Sequence, residues 1–154
     1  MSTRLSMASL TLLRGPGTAG LPPAEPVDFA RLVLPASPNA ALLAPPGVTS
    51  QPHISLPLLA VSPEAAWAAL RMLGEGLPRC WKMAEWPERR QVQWVQRSRL
   101  AGFPDLVNGQ VVPLVGGSGV FLYSRSLLGY SDFGVNRRRL LAWRARLEEA
   151  LRAV

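Results

Sequence analysis

Eleven of the fifteen prolines lie at or before Pro63, at positions 16, 22, 23, 26, 35, 38, 45, 46, 52, 57 and 63, and no other feature limits the fold as much. Proline has no amide hydrogen and a fixed φ, so this stretch is expected to hold neither long helices nor central strands. It reads as an extended proline-rich arm over residues 1–50, followed by a single α+β domain over residues 51–154. The arm is not a polar tail. It carries Leu10, Leu12, Leu13, Phe29, Leu32, Val33, Leu34, Leu42 and Leu43 and few charges, unlike a segment that stays disordered. Residues 1–25 are expected to dock on a partner and residues 27–50 to pack on their own domain.

Beyond His53 the texture changes. Ile54–Val61 reads as a strand that Pro57 confines to an edge or a bulge. Ser62-Pro63-Glu64 sets an N-cap, a first-turn proline and a carboxylate at the start of a helix, and Trp67, Leu70, Leu73 and Leu77 follow at helical spacing. Gly74, Gly76 and Pro78 end it. Cys80–Trp86 and Gln91–Arg97 read as strands joined at Pro87-Glu88. In the second, Val92 and Trp94 share a dry face, while Gln93, Val95 and Arg97 share a partly wet one. Asp105–Val115 and Val120–Ser126 complete the strands. Asn108-Gly109 is a strong hairpin signal, but the turn is placed at Gly116-Gly117-Ser118-Gly119. Phe121, Tyr123 and Arg125 then align on one face. A closing helix begins near Ser131 or Asp132, with Leu140, Trp143, Leu147, Ala150, Leu151 and Val154 as its apolar stripe. The order implies a curved antiparallel sheet of four to five strands packed against two helices, as in helix-grip folds.

Cys80 is the only cysteine and His53 the only histidine. A chain so supplied offers no disulfide framework, no His/Cys metal cluster and no histidine-based acid–base set. No metal, cofactor or catalytic residue is assigned. Seventeen basic against ten acidic residues give a net charge of +7, and Lys82 is the only lysine, so the surplus is arginine. Such a charge draws anionic partners: an acidic protein surface, an anionic membrane face or nucleic acid. Nucleic acid is the least favoured, because Glu148 and Glu149 share the basic helix and no recognised motif is present. No signal peptide and no run of about 20 apolar residues is read, which places the chain in the cytoplasm or on the cytoplasmic face of a membrane.

Three short motifs stand apart: Ser37-Pro38-Asn39, Phe103-Pro104-Asp105, and Gly129-Tyr-Ser-Asp-Phe-Gly-Val-Asn-Arg-Arg-Arg139. With Ser124 and Ser126 they resemble the bacterial domain-of-unknown-function family 1499, whose last motif runs arginine-serine-x-serine-arginine-x-glycine-x-serine-aspartate-x-glycine-x-asparagine-x-x-arginine. Gly129, Ser131, Asp132, Gly134, Asn136 and Arg139 match it. Tyr123 and Leu127 replace its two upstream arginines, with Arg125 close by. Leu34 and Ala40 stand where the family has cysteines, and Leu106 replaces a second carboxylate. The resemblance implies a divergent structural or accessory member, without an export or membrane segment of the kind other members carry.

A charge cluster of Asp105, Asp132, Arg97, Arg99 and Arg139, with Arg125 and Asn136 beside it, is expected where the strand ends meet the closing helix. Arginines at a helix start suit a phosphate or carboxylate; an aspartate N-cap and an ion pair would also serve simply to fix a loop. Trp86, Arg89 and Arg90 at a hairpin tip, and Arg137, Arg138 and Arg144 on the closing helix, are candidates for docking a partner. Two functions follow. One is a non-enzymatic accessory subunit on a larger, membrane-associated assembly. The other is a carrier for an apolar small molecule or lipid held between sheet and helix.

Overall fold

The computed structural model describes residues 17–47, 52–129 and 131–153. The architecture is α+β: an open, mostly antiparallel sheet of six strands with two helices on one face. The elements are β1 (Ala40–Ala44), β2 (Ile54–Ser55), α1 (Pro63–Leu70), β3 (Cys80–Trp86), a 3-10 turn (Pro87–Arg89), β4 (Gln91–Arg97), β5 (Pro104–Leu114), β6 (Gly117–Ser126) and α2 (Val135–Arg152). Their order in the sheet is β2-β1-β6-β5-β4-β3. Only β1 and β2 run parallel.

The sheet therefore has more strands than the four to five expected, and one of them lies within the arm. Ala40–Ala44 pairs on one side with β6 and on the other with β2, and Ala41 to Ala44 are almost fully buried. A strand is possible here because Pro38 and Pro45 fall just outside the ladder, where no amide is needed. Leu42 N–H also gains a partner from outside the sheet, donating to His53 Nδ1 at 3.0 Å. At β2 the expected Ile54–Val61 strand shrinks to two residues, and Leu59 rejoins through an isolated bridge to Ser118.

α1 follows its signals: Ser62 Oγ accepts from Ala65 N–H, and Pro63 opens the helix. It ends at Leu70, before Leu73 and Leu77. β5 runs unbroken through Asn108-Gly109, and the hairpin turns at Val115-Gly116, between the paired Leu114 and Gly117. Gly109 is there for packing instead. A Cβ on it would lie 2.9 Å from Leu70 Cδ1 and 3.1 Å from Leu122 Cδ2, so its bareness lets α1 settle on the sheet.

Both faces of the sheet are covered. On one, Val92, Trp94, Val107, Val111, Val120 and Leu122 pack against Leu70 of α1 and Leu140, Trp143 and Leu147 of α2. Trp94 and Trp143 meet edge to face, with centroids 6.3 Å apart. On the other, Phe29 stacks on Phe121 at 4.9 Å and joins Leu42, Ala44 and Tyr123. This second face was expected to be partly wet. It is the bed of the arm, and the polar residues of β4 hold it down. Gln91 accepts from Val27 N–H and donates to Val27 O, while Arg97 donates to the carbonyls of Gly17 and Ala19. Residues 17–19 thus pack on their own domain, where the reading of residues 1–25 expected a partner; residues 1–16 lie outside the described part.

The Gly109 contact gives a direct test. Gly109→Ala is expected to destabilise by about 1–3 kcal/mol in denaturant unfolding, the usual cost of overpacking. In a Leu70→Ala background the same change should cost less, because the tightest of its contacts has been removed and only Leu122 still crowds it.

Candidate functional site

The three motifs, up to about a hundred residues apart in sequence, converge on the N-terminal end of α2. The chain enters this helix through Gly134, at φ 81°, which serves as N-cap without a side chain of its own. Asp132 supplies the missing acceptors: its Oδ1 takes the Gly134 N–H at 2.7 Å and its Oδ2 the Asn136 N–H at 3.1 Å. The helix starts three residues later than Asp132, yet Asp132 meets two of the amides that the first turn leaves free.

Asn136 is completely buried and sits at the centre. Its Nδ2 lies within bonding distance of Asn39 O, Ser126 Oγ and Asp132 Oδ2. Its Oδ1 accepts from Ser124 Oγ and from Arg139. Arg139 also reaches Gln96 Oε1 at 2.8 Å and forms an ion pair with Asp105 at 2.8 Å. The front motif closes the knot: Asn39 Nδ2 donates to Gly129 O, and Pro38 O accepts from Asp132 N–H. Burial pushes the Asp105 carboxyl above its usual range, an effect that Arg139 and the Ser126 hydroxyl offset only in part.

Of the residues expected here, Asp105, Asp132, Asn136 and Arg139 come together. Arg97 and Arg125 do not. Pairing of Gln96 with Asp105, and of Asp105 with Ser126, puts Gln96 and Ser126 on the Asp105 face, so by alternation Arg97 and Arg125 project from the opposite, arm-covered face. Arg99 is exposed beyond the end of β4. Asn39, Gln96, Ser124 and Ser126 complete the knot; of these, only the two serines and Asn39 carried a sequence signal, through the motifs.

Beside the knot runs a groove of about 570 Å³ between α2, the Leu77-Pro78-Arg79 segment and the end of β4. Val135, Ala142 and Trp143 line it together with Arg79, Arg97, Arg99, Arg138, Arg139 and Arg146, and among the described residues no aspartate or glutamate does. No motif or spacing in the sequence marks Arg79 or Arg146 for this groove. Arg79 Nε donates to Arg97 O, Arg138 to Phe133 O, and Arg146 to the carbonyls of Leu73 and Glu75. Cys80 lies next in sequence, and burial pushes its thiol up to about 11, so it stays protonated at neutral pH.

The docking candidates divide in the same way. Arg90 pairs with Glu64 at 3.0 Å and Arg144 with Glu148 at 2.8 Å. Arg89, Arg137 and Arg138 are exposed and, among the described residues, pair with no carboxylate. Trp86 is half-buried at the end of β3. Among the described residues no group of three or more His, Cys, Asp or Glu side chains is placed to hold a metal ion, and no helix is long and apolar enough to cross a membrane.

The family model described as "Protein of unknown function (DUF1499)" matches residues 33–147, which include all three motifs. The chain belongs to this family. No curated protein matches it. Protein MLL2253 from Mesorhizobium loti is 12% identical, with 75% of this chain and 98% of that chain covered and a TM-score of 0.49. An uncharacterised protein from Rhizobium leguminosarum is 11% identical, with 75% and 95% covered and a TM-score of 0.50. Likeness to the latter concerns the fold alone. Leu34 and Ala40 both pack on the Phe29–Phe121 cluster, so that layer is apolar.

Removing Arg139 would leave Asp105 charged and buried. Arg139→Ala should therefore cost about 3–5 kcal/mol at neutral pH, and Asp132→Ala about 0.5–2 kcal/mol. The Asp105 carboxyl, raised in the folded state, favours folding below its unfolded value and loses that contribution as pH rises through its folded value. Without Arg139 the folded value rises further, so the deficit of Arg139→Ala should shrink on acidification toward about pH 5. Urea melts at the two pH values check this; a deficit that grows in acid would contradict it.

Proposed function

We propose that the protein is a non-enzymatic accessory subunit that docks on a larger protein assembly through its arginine face. The observation that carries this reading is the set Arg79, Arg99, Arg138 and Arg146: four guanidinium groups on one groove with no carboxylate partner among the described residues. Uncompensated charge of one sign gathered in a cleft raises the encounter rate with an acidic surface and selects against basic ones. An assembly at an anionic membrane face, approached from the cytoplasmic side, fits the same excess of charge.

Two further features support docking over chemistry. The polar residues of the motifs bond one another, the backbone and the helix start, which is what a structural fastening requires. The outer edge of β3 is guarded against strand addition by a bulge between Lys82 and Ala84 and by the Lys82–Glu85 ion pair at 2.6 Å. Side-chain surfaces are left to carry the contact.

The helix-grip-like order of elements motivated the second reading, a carrier for an apolar small molecule or lipid. In this chain Trp94, Leu140, Trp143 and Leu147, each at most 3% exposed, occupy the space between sheet and α2 that such a ligand would need.

Because β1 lies within the first fifty residues, the test uses the full chain. Chemical cross-linking in native extract at low salt, followed by native mass spectrometry, is expected to give a discrete complex of higher mass that dissociates as salt is raised. A chain that remains monomeric and uncross-linked at low salt would overturn the proposal.

A further inference from the structure

We infer that the arginine groove receives an extended acidic segment of the partner protein, with carboxylates on the guanidinium groups and an apolar side chain on the groove floor; this rests on the docking reading above. The groove has two walls. One is α2, where Arg138, Ala142 and Arg146 form one row at four-residue spacing and Val135, Arg139 and Trp143 the next. The other holds Arg79 and Arg99, from the segments flanking β3 and β4. Arg139 is committed to Asp105, and Arg97 to backbone carbonyls. The four others define the recognition chemistry.

Their partners are the telling feature. Arg79, Arg138 and Arg146 are each held by main-chain carbonyls. A carbonyl fixes the direction of a guanidinium and leaves its full charge in place, along with N–H groups beyond those it occupies. Arg79 is also built on a backbone at φ 52°, in the left-handed region that residues bearing a side chain take only at a cost. The surrounding structure holds it there: Arg97 N–H donates to Arg79 O, and Arg79 Nε returns to Arg97 O.

Length and shape identify the occupant. From Arg138 to Arg146 the helix advances about 12 Å, at 1.5 Å per residue. That is the reach of about four residues of extended chain. A single phosphate or carboxylate would meet one end of such a row and leave the other unanswered. Val135, Ala142 and the nearly covered Trp143 give the groove its apolar floor, beside the exposed Arg99 and Arg138. A flat bilayer meets those rim charges without reaching the floor, whereas a strand of peptide meets both.

Fluorescence anisotropy at low salt, on the full chain, decides the matter with four probes: a short peptide alternating glutamate and leucine, its glutamine–leucine counterpart, phosphatidylglycerol vesicles and a short single-stranded oligonucleotide. The acidic peptide should bind, and its neutral counterpart about tenfold more weakly or worse. Arg99→Glu and Arg138→Glu should each weaken the acidic peptide by about tenfold, the cost of losing a charge-assisted bond. Both positions are exposed, and a glutamate in the first turn of α2 suits the helix dipole. Arg89→Glu, with the same change in net charge at the hairpin tip, should leave binding within about twofold. Equal weakening by all three reversals, equal binding of the neutral peptide, or groove-dependent binding of vesicles or oligonucleotide in place of the peptide would overturn the inference. A salt-sensitive complex that ignores the groove reversals would overturn it too and leave the docking reading standing. Peptide binding in the groove without any larger complex would uphold the site and remove the docking reading.

Discussion

The Arg139–Asp105 pair lies with both side chains about nine-tenths buried, and charges taken that far out of water cost several kcal/mol each unless their remaining polar atoms are met. That requirement shapes everything near it. Arg139 needs Gln96, Ser124 and Asn136 as well as Asp105. Asn136 in turn needs Asn39, Ser126 and Asp132. These residues sit on β4, β5, β6, the entrance to β1, and α2. A shift of α2 by one residue, or of the sheet register by one pair, would strand several of them at once. The knot thus specifies where the long helix lies on the sheet, which its apolar stripe of Leu140, Trp143 and Leu147 alone would leave free to slide.

Polarity on the strands follows a comparable logic on the opposite face. Gln91 and Arg97 point into the arm that covers this face, and Gln93 Nε2 donates to Asn108 Oδ1 beneath it. Proline-rich backbone cannot complete a sheet ladder, so its carbonyls and amides need side-chain partners. Gln91 answers Val27 with both ends of its amide, and Arg97 answers Gly17 and Ala19. A segment without helix or ladder is held in place by side chains from the strand beneath it.

This explains which parts of the chain were legible in sequence. Cys80–Trp86 and Gln91–Arg97 were read to the residue, because alternation and the Pro87 turn are local signals. β1 was missed: Ala40–Ala44 is buried on both faces, so it shows a continuous apolar run without alternation, and prolines on both sides made it look like arm. Asn108-Gly109 has the chemistry of a turn, but the demand for Leu70 to approach the backbone prevailed. Asp132, Asn136 and Arg139 were grouped with Asp105 correctly through helix spacing and the motif. Arg97 was grouped with them wrongly, since its face follows from the pairing of Gln96 with Asp105, and strand register is not visible in one sequence. Arg79 carried no signal, because its position depends on a positive φ.

The DUF1499 motif residues of this chain bond one another and the backbone in one inward network. The arginines next to it differ. Arg138 and Arg139 are neighbours in sequence on the same turn of α2, yet Arg139 is buried against a carboxylate, while Arg138 is exposed and bonds the Phe133 carbonyl. The inward arginine fixes the helix; the outward one inherits that rigidity. Under the proposed docking, a guanidinium mounted on a helix so firmly anchored would lose little further freedom on meeting a carboxylate, so the structural knot would raise the affinity of the groove beside it without touching the ligand.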